Sequence, residues 1–237
     1  MLDGYDTPSG KRTVRSRAEY LAVEKGKLVE SVNTLSHEDF AQLYFPESLS
    51  DLFLTEYWND SGRRFSVFTN AAGLRPETLN ECFSLVESTS ADDYRNSEMD
   101  WSPAKKKKEM RLPDLKYLIL KSRFTPEVIG FISFMVTYED GHEVLYVYEI
   151  HLASDYQGQG DGPRLMGVVE QIARRVGVEK VMLTVFRNNT RAIGMYERLG
   201  YAVDKYSPQP KILRGNLKES GYVILSKSMK EMDDVET

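Results

Sequence analysis

Tyr156-Gln157-Gly158-Gln159-Gly160-Asp161-Gly162-Pro163-Arg164 decides the fold. An apolar run, Val144 to Leu152, precedes it. Behind it Leu165, Val168, Val169, Ile172 and Val176 recur at helical spacing as far as Gly177, a C-terminal stop. The segment is therefore a loop that follows a strand and opens a helix. Its glycines let the backbone approach a ligand closely and adopt positive φ. Their N–H groups, together with the helix N-terminus, form an anion site for which a pyrophosphate is the natural guest. No Lys-Ser or Lys-Thr follows, so this is not a Walker loop. Gly158, Gly160 and Gly162 also miss the third position of G-x-G-x-x-G. Taken alone, a glycine-rich turn with no ligand would look the same.

Upstream, Glu139-Asp140-Gly141 carries a hairpin signal between the strand-like runs Val128–Val136 and Val144–Leu152. Tyr117–Leu120 and Phe65–Phe68 read as further strands. Pro76 fits the first turn of a helix with Leu79, Phe83 and Val86 on its buried stripe. The stretch from Ser88 to Pro113 reads as polar and irregular, and Lys105 to Lys108 as a solvated helix face. Downstream come a central-type strand, Val181–Phe186, a helix over Arg191–Leu199 stopped by Gly200, and a last strand, Tyr222–Leu225. Near the start, Val14, Ala18, Leu21, Leu28 and Val32 have helical spacing, after a disordered beginning over 1–13. Strand-loop-helix units imply an α/β sheet, and several strands in succession make it mixed rather than all parallel.

Composition narrows the function. The 237 residues carry 31 Lys plus Arg against 36 Asp plus Glu, a net charge of −5, which argues against a dedicated nucleic-acid binder. The single cysteine, Cys82, excludes an intrachain disulfide framework and a cysteine-built zinc site. No apolar run approaches the roughly 18 residues that span a membrane. No secretory h-region is evident. These features predict a cytoplasmic and nuclear protein with no membrane partner and no metal.

Two motifs at the right separation then carry a resemblance. Gln157 to Gly162 resembles the Q/R-x-x-G-x-G/A loop of the Gcn5-related acetyltransferases (GNAT), and Asn189 to Tyr196 is similar to that family's N-x-x-A-x-x-x-Y, with Glu197-Arg198-Leu199-Gly200-Tyr201 as its helix ending. The resemblance implies the GNAT fold, an α/β sheet splayed around acetyl-CoA and flanked by helices. It implies a domain over 51–229, preceded by a helical extension over 14–50 and followed by an acidic tail over 230–237. It also implies that Ile150, His151 and Leu152 bind the cofactor through their backbone. Gln157, Gly158, Gln159, Gly160, Asp161, Gly162 and Pro163 would hold its pyrophosphate. Asn189 would contact it at the splayed strand, and Tyr196 would protonate the leaving thiolate.

A closer resemblance covers about residues 53–228. Glu143 to Ile150, Lys180 to Phe186, Gly73-Leu74-Arg75-Pro76, the segment from Tyr94 to Trp101 and Ser220 to Ser226 resemble the NatD-type histone-directed N-terminal acetyltransferases. Those enzymes acetylate the α-amine of histones four and two-A, which begin Ser-Gly-Arg-Gly. The resemblance implies direct attack without an acyl-enzyme. Glu149 would be the general base, Tyr148 would contact the substrate amine or its backbone, and Tyr94, Tyr146 and Tyr222 would wall the peptide pocket. Thr184 would bond the first residue. Acids such as Asp93, Glu98, Glu139 and Glu143 would suit a basic tail. Thr137 stands where the family has a substrate-contacting aspartate, Met99 where it has a tryptophan, and Gln157, Gly158 and Gln159 where its loop has cations. The expected partners are histone tails, with the basic cluster from Lys11 to Arg17 as a candidate ribosome contact and the chain itself a monomer. Transfer to lysine or a small amine, or a non-catalytic adaptor, are the alternatives.

The chemistry favours an α-amine. Its pKa near 8 makes deprotonation at pH 7 cost about 1.4 kcal/mol, against about 4.6 kcal/mol for a lysine near 10.4. A modest base then suffices. Tyr146 and Tyr148 share one face of a regular strand and Glu149 the other, so a common pocket requires a bulge in this strand.

Overall fold

The structure is a computed structural model. It describes residues 27–45, 64–122, 124, 127–213 and 216–230. The predicted start over 1–13, most of the helix beginning at Val14 and the acidic tail beyond Lys230 lie outside the described residues.

Two short helices, α1 (Leu28–Asn33) and α2 (His37–Tyr44), precede β1 (Arg64–Asn70) and the long helix α3 (Pro76–Arg95). The short helix α4 (Pro103–Glu109) leads into the meander β2 (Lys116–Ser122), β3 (Val128–Glu139) and β4 (His142–Leu152). The helix α5 (Asp161–Val176), the strand β5 (Lys180–Phe186) and the helix α6 (Thr190–Arg198) follow. The last described elements are the strands β6 (Ala202–Val203), β7 (Lys211–Leu213), β8 (Asn216–Lys218) and β9 (Tyr222–Ser228). The described strands form one sheet in the order β1-β2-β3-β4-β5-β9-β6, with β7 and β8 paired apart from it. Among the described strands only the β4–β5 pairing is parallel; the others are antiparallel, so the sheet is mixed as its sequence pattern predicts.

Helices cover both faces, which is why β2 and most of β3 are buried at successive positions instead of alternating with solvent. On one face α3 places Leu79, Cys82, Phe83 and Val86 against Tyr117, Ile119, Phe131 and Met135. On the other, Val32 of α1, Phe40 of α2, and Leu165, Val169 and Ile172 of α5 pack against Leu118, Ile132 and Val181. The expected buried stripes of α3 and α5 are thus in place. The β3–β4 turn sets Asp140 at φ 48° and Gly141 at φ 81°. Both central residues at positive φ match the mirror-image turn that Asp-Gly favours, whose twist suits a tight hairpin.

One expectation fails here. The stretch from Ser88 to Pro113 is not irregular: α3 continues to Arg95, and α4 begins with Pro103 in its first turn behind the Ser102 cap. Its polar residues misled because α3 buries only one stripe. In α4, Lys106 is buried rather than solvated.

Two irregularities of β4 create the site. The β3–β4 register shifts between Ser133 and Phe134, which pair with Glu149 and Val147, so Tyr148 is the extra residue of a bulge. The parallel pairing with β5 runs only over Val144–Val147 against Lys180–Leu183, although β4 continues to Leu152 and β5 to Phe186. Beyond Val147 and Leu183 the two strands part.

Candidate active site

Two cavities open where the strands part. The larger, about 610 Å³, is a cleft lined by Ile150, His151 and Leu152 at the end of β4, by Gln157, Gly158, Gly160, Gly162 and Pro163 of the loop, and by Asn189, Arg191, Tyr196 and Arg198 of α6 and its start. The smaller, about 340 Å³, is lined by Tyr94 and Met99, by Tyr146, Tyr148 and Glu149, by Thr184 and Phe186, and by the carboxylates Glu109 and Glu139. Six residues line both: Ser90, Ile150, His151, Asn189, Ala192 and Tyr196. They mark the junction of the cavities.

The cleft suits a diphosphate. Gly158 and Gly160 lie at φ 76° and 88°, the left-handed region. Gly160 is also the N-cap of α5 and lends it no side-chain cap, so the first-turn amides present their hydrogens and the positive end of the helix to whatever sits there. None of the loop residues facing the cleft carries a carboxylate. The cation that the loop itself lacks comes from elsewhere. Arg191 Nη1 donates to Gln157 Oε1 at 2.9 Å, which holds its guanidinium over the loop. Sequence reasoning missed Arg191, although its place two residues after Asn189 puts it at the helix start that faces the loop. Asn189 caps α6 by accepting from Ala192 N at 3.1 Å. Gln159 and Asp161 do not line the cleft: Gln159 turns back to donate to Asp155 O, and Asp161 is buried in the first turn of α5.

The smaller cavity carries the charged machinery. Glu149 is 8% exposed. Its Oε1 accepts from Lys106 Nζ at 2.7 Å, and its Oε2 lies 2.5 Å from His151 Nε2. Lys106 Nζ also donates to Tyr94 Oη at 2.6 Å and pairs with Glu109 at 2.6 Å. An ammonium has three hydrogens, and these contacts use all of them. Burial alone would push the Glu149 carboxyl up, but the hydrogen bond and charge of His151, joined by Lys106, outweigh it and hold the carboxyl below its ordinary range. Burial pulls Lys106 down, and the charges of Glu149, Tyr94 and Glu109 more than reverse that, so it stays a cation. Glu149 is thus a fixed anion whose two oxygens are already engaged.

Lys106 was hidden in a run of four lysines. The usable signal is that Lys106 and Met110 are four apart, one face of a helix, and both are buried. His151 was expected to act through its backbone alone. Its side chain also belongs to the site, because Glu149 and His151 are two apart on a strand and share a face beyond the bulge.

The tyrosines divide. Tyr146 Oη, in the paired part of β4, and Thr184 Oγ1, just past the last paired residue of β5, share a hydrogen bond of 2.6 Å. Burial pushes the Tyr146 phenol up to about 12, and the Tyr94 phenol likewise, with the Glu149 charge adding to the latter. Tyr196 is buried at the junction, and burial followed by the Glu149 charge keeps it protonated well above the ordinary phenol range. Two of the expected residues stand outside both linings. Tyr222 lies opposite Phe186 in the sheet and lines neither cavity. Thr137 lies opposite Val144 and lines neither; Glu139, two residues on along β3, faces the smaller cavity instead. Burial, and then Asp140, push the Glu139 carboxyl up. Met99 does line that cavity, while Glu98 is tied to Ser220 and the Gly221 amide.

Comparison with known proteins agrees with this architecture. The model of the acetyltransferase (GNAT) family matches residues 77–201. N-alpha-acetyltransferase 40 of Saccharomyces cerevisiae is 33% identical over 156 residues, 56% of this chain and 55% of that protein. The uncharacterized N-acetyltransferase YycN of Bacillus subtilis is 27% identical over 75 residues, 32% of this chain and 48% of that protein. The chain thus spans about half the length of these curated relatives. Among solved structures, aminoglycoside 6'-N-acetyltransferase complexed with coenzyme A matches at a TM-score of 0.51 and 16% identity, over 71% of this chain and 99% of that one, a likeness of fold. The splayed sheet, the glycine loop on the helix N-terminus and a family match across more than half of the residues lead to one assignment: the chain belongs to the acetyltransferase (GNAT) family.

Proposed function

We propose that this chain transfers an acetyl group from acetyl-CoA to the α-amine of a protein that begins with a small residue and continues with a basic one, as in the Ser-Gly-Arg-Gly start of histones four and two-A. The observation that carries the reading is the junction, where a cleft suited to a diphosphate meets a pocket walled by tyrosines and carboxylates. The similarity to N-alpha-acetyltransferase 40 supports it.

Acetyl-CoA, when bound, supplies the activated thioester. The first-turn amides of α5 and Arg191 hold its diphosphate, and the parted edge of β4 offers backbone groups to the pantetheine. Tyr146 and Thr184, bridged at 2.6 Å, close the small pocket around the first residue. A narrow pocket excludes bulky first residues more effectively than it ranks small ones. Glu139 and Glu109 offer carboxylates to a following arginine. The amine attacks directly, with the buried cluster around Glu149 drawing off one proton. Tyr196, still protonated, supplies a proton to the departing thiolate. An α-amine needs only this modest assistance, because its neutral form is far more accessible than that of a lysine.

The test is a peptide beginning Ser-Gly-Arg-Gly, incubated with the protein and acetyl-CoA, with the product mapped by fragment-ion mass spectrometry. The reading expects the acetyl group on the α-nitrogen and weaker turnover when the arginine becomes glutamate. Acetyl on a lysine side chain would instead establish the alternative acceptor.

A further inference from the structure

Thr89, His151 and Glu149 form an unbroken hydrogen-bonded series. His151 Nε2 lies 2.5 Å from Glu149 Oε2, and His151 Nδ1 lies 2.6 Å from Thr89 Oγ1. The Thr89 hydroxyl also lies 2.7 Å from Leu85 O. A hydroxyl has a single hydrogen, and here two acceptors stand within its reach. When His151 is neutral, Nε2–H donates to the Glu149 carboxylate and the Thr89 hydroxyl donates to Nδ1. When His151 is protonated, Nδ1–H donates to Thr89, whose own hydrogen turns to Leu85 O. Every group is satisfied in both states, so the series gains or loses a proton without leaving a buried polar atom unpaired. Glu149 has no such freedom, because a proton placed on either oxygen would sit against the Lys106 ammonium or the His151 N–H that donates to it.

Position singles out the same residue. Of the six residues that line both cavities, two have ionisable side chains, His151 and Tyr196. Tyr196 is held protonated and suits a donor. Thr89 lines the cleft beside His151, and Phe131 walls one side of the imidazole at 5.7 Å between ring centroids.

We propose that His151, which lines the junction of the cavities, is the proton acceptor of this site, served from the cleft side by the Thr89 hydroxyl and held by Glu149. The proposal rests on the acetyl-transfer reading above and moves the base from Glu149 to its neighbour. One N–H bond of the substrate ammonium breaks, and its electron pair stays on nitrogen. The proton passes to Thr89 Oγ1 as Thr89 hands its own hydrogen to Nδ1. The hydroxyl ends neutral and the imidazole becomes imidazolium, its charge balanced by Glu149. The same route later returns the proton to water.

The experiment compares wild type with His151→Gln, Thr89→Val and Thr89→Ser on the Ser-Gly-Arg-Gly peptide, with acetyl-CoA affinity measured by calorimetry on each. His151→Gln keeps a polar side chain that cannot carry the proton. Its kcat is expected to fall about 100-fold, the lower end of general acid–base contributions, with acetyl-CoA affinity within about threefold of wild type. Thr89→Val is expected to fall in the same sense, and Thr89→Ser, which restores a hydroxyl, to recover turnover relative to it. A His151→Gln enzyme with wild-type kcat overturns the proposal while leaving acetyl transfer intact. A loss confined to acetyl-CoA affinity also overturns it, as does an acetyl group found on Thr89 by intact mass, which would make that hydroxyl a nucleophile. A wild-type chain that acetylates no peptide overturns the acetyl-transfer reading and this proposal together.

Discussion

Lys106 Nζ and Glu149 Oε1, 43 residues apart in the chain, meet at 2.7 Å in a site where both side chains are less than a tenth exposed. Helix α4 therefore completes the active-site strand rather than merely covering it. Removing one partner of such a pair leaves a buried charge, which costs far more than the pair's net contribution. Lys106→Met is expected to lower unfolding free energy by about 3–5 kcal/mol, and Lys106→Met combined with Glu149→Gln to recover much of that loss. Denaturant titration of the three proteins checks this; a double variant as unstable as the single one contradicts it.

The same carboxylate sets an acid limit. Folding depresses the Glu149 pKa, so the ionised form contributes stability above the unfolded value of about 4.3 and loses it as pH falls through the lower folded value. The stability difference between wild type and Glu149→Gln should be level above about pH 5 and shrink at lower pH. Denaturant melts across pH 2.5 to 7 measure it, and a difference independent of pH would show that the carboxylate is not held ionised.

Lys116 behaves in the opposite way from Lys106. It is 5% exposed, donates to Asn33 Oδ1 at 3.0 Å and to Asp114 O at 3.1 Å, and lies over the Phe40 ring. Burial outweighs Asp114 and pulls its ammonium down to about 8. Stability should rise as pH climbs from that value toward the unfolded one of about 10.4, then level off. Lys116→Met should abolish that rise, as thermal melts between pH 7 and 10.5 would report. An unchanged rise would place its origin elsewhere.

Cofactor affinity should depend on Arg191 and the loop glycines. Gly160 lies at φ 88°, a conformation that costs an L-residue about 1–2 kcal/mol. Gly160→Val should weaken acetyl-CoA binding about tenfold or more by that strain and by crowding the approach of the diphosphate. Arg191→Ala should cost about 1.5–3 kcal/mol, the range for hydrogen bonds to charged groups, and flatten the salt dependence. Calorimetry at low and high salt separates the two variants. Full affinity in both would remove the diphosphate from this loop.

The fold was legible because its signals are local. The Asp140-Gly141 turn, the stripes Leu79–Phe83–Val86 and Leu165–Val169–Ile172, and the loop from Gln157 to Gly162 each announce their element through neighbours in sequence. The need for a bulge was also legible, from Tyr146, Tyr148 and Glu149 having to share a pocket. The charged cluster was not. Lys106 looks like its neighbours, the exposed Lys105 and Lys108 and the half-buried Lys107, until the tertiary fold lays α4 over Glu149. Thr89 sits in a polar stretch whose helicity depends on packing one stripe against the sheet. Thr137 and Glu139 share a face of β3, and a sequence pattern alone does not show that Glu139 is the one lining the smaller cavity. The short strands β6, β7 and β8 and the helix α2 carry too few residues for a periodic signal.

The central claim is that the acceptor is an α-amine. Two peptides test it most directly with labelled acetyl-CoA: one begins Ser-Gly-Arg-Gly-Lys with a free amine, and its twin has that amine blocked and keeps its lysine. The account predicts label on the free peptide and none on its twin. Equal label on both would contradict it and assign the pocket to lysine.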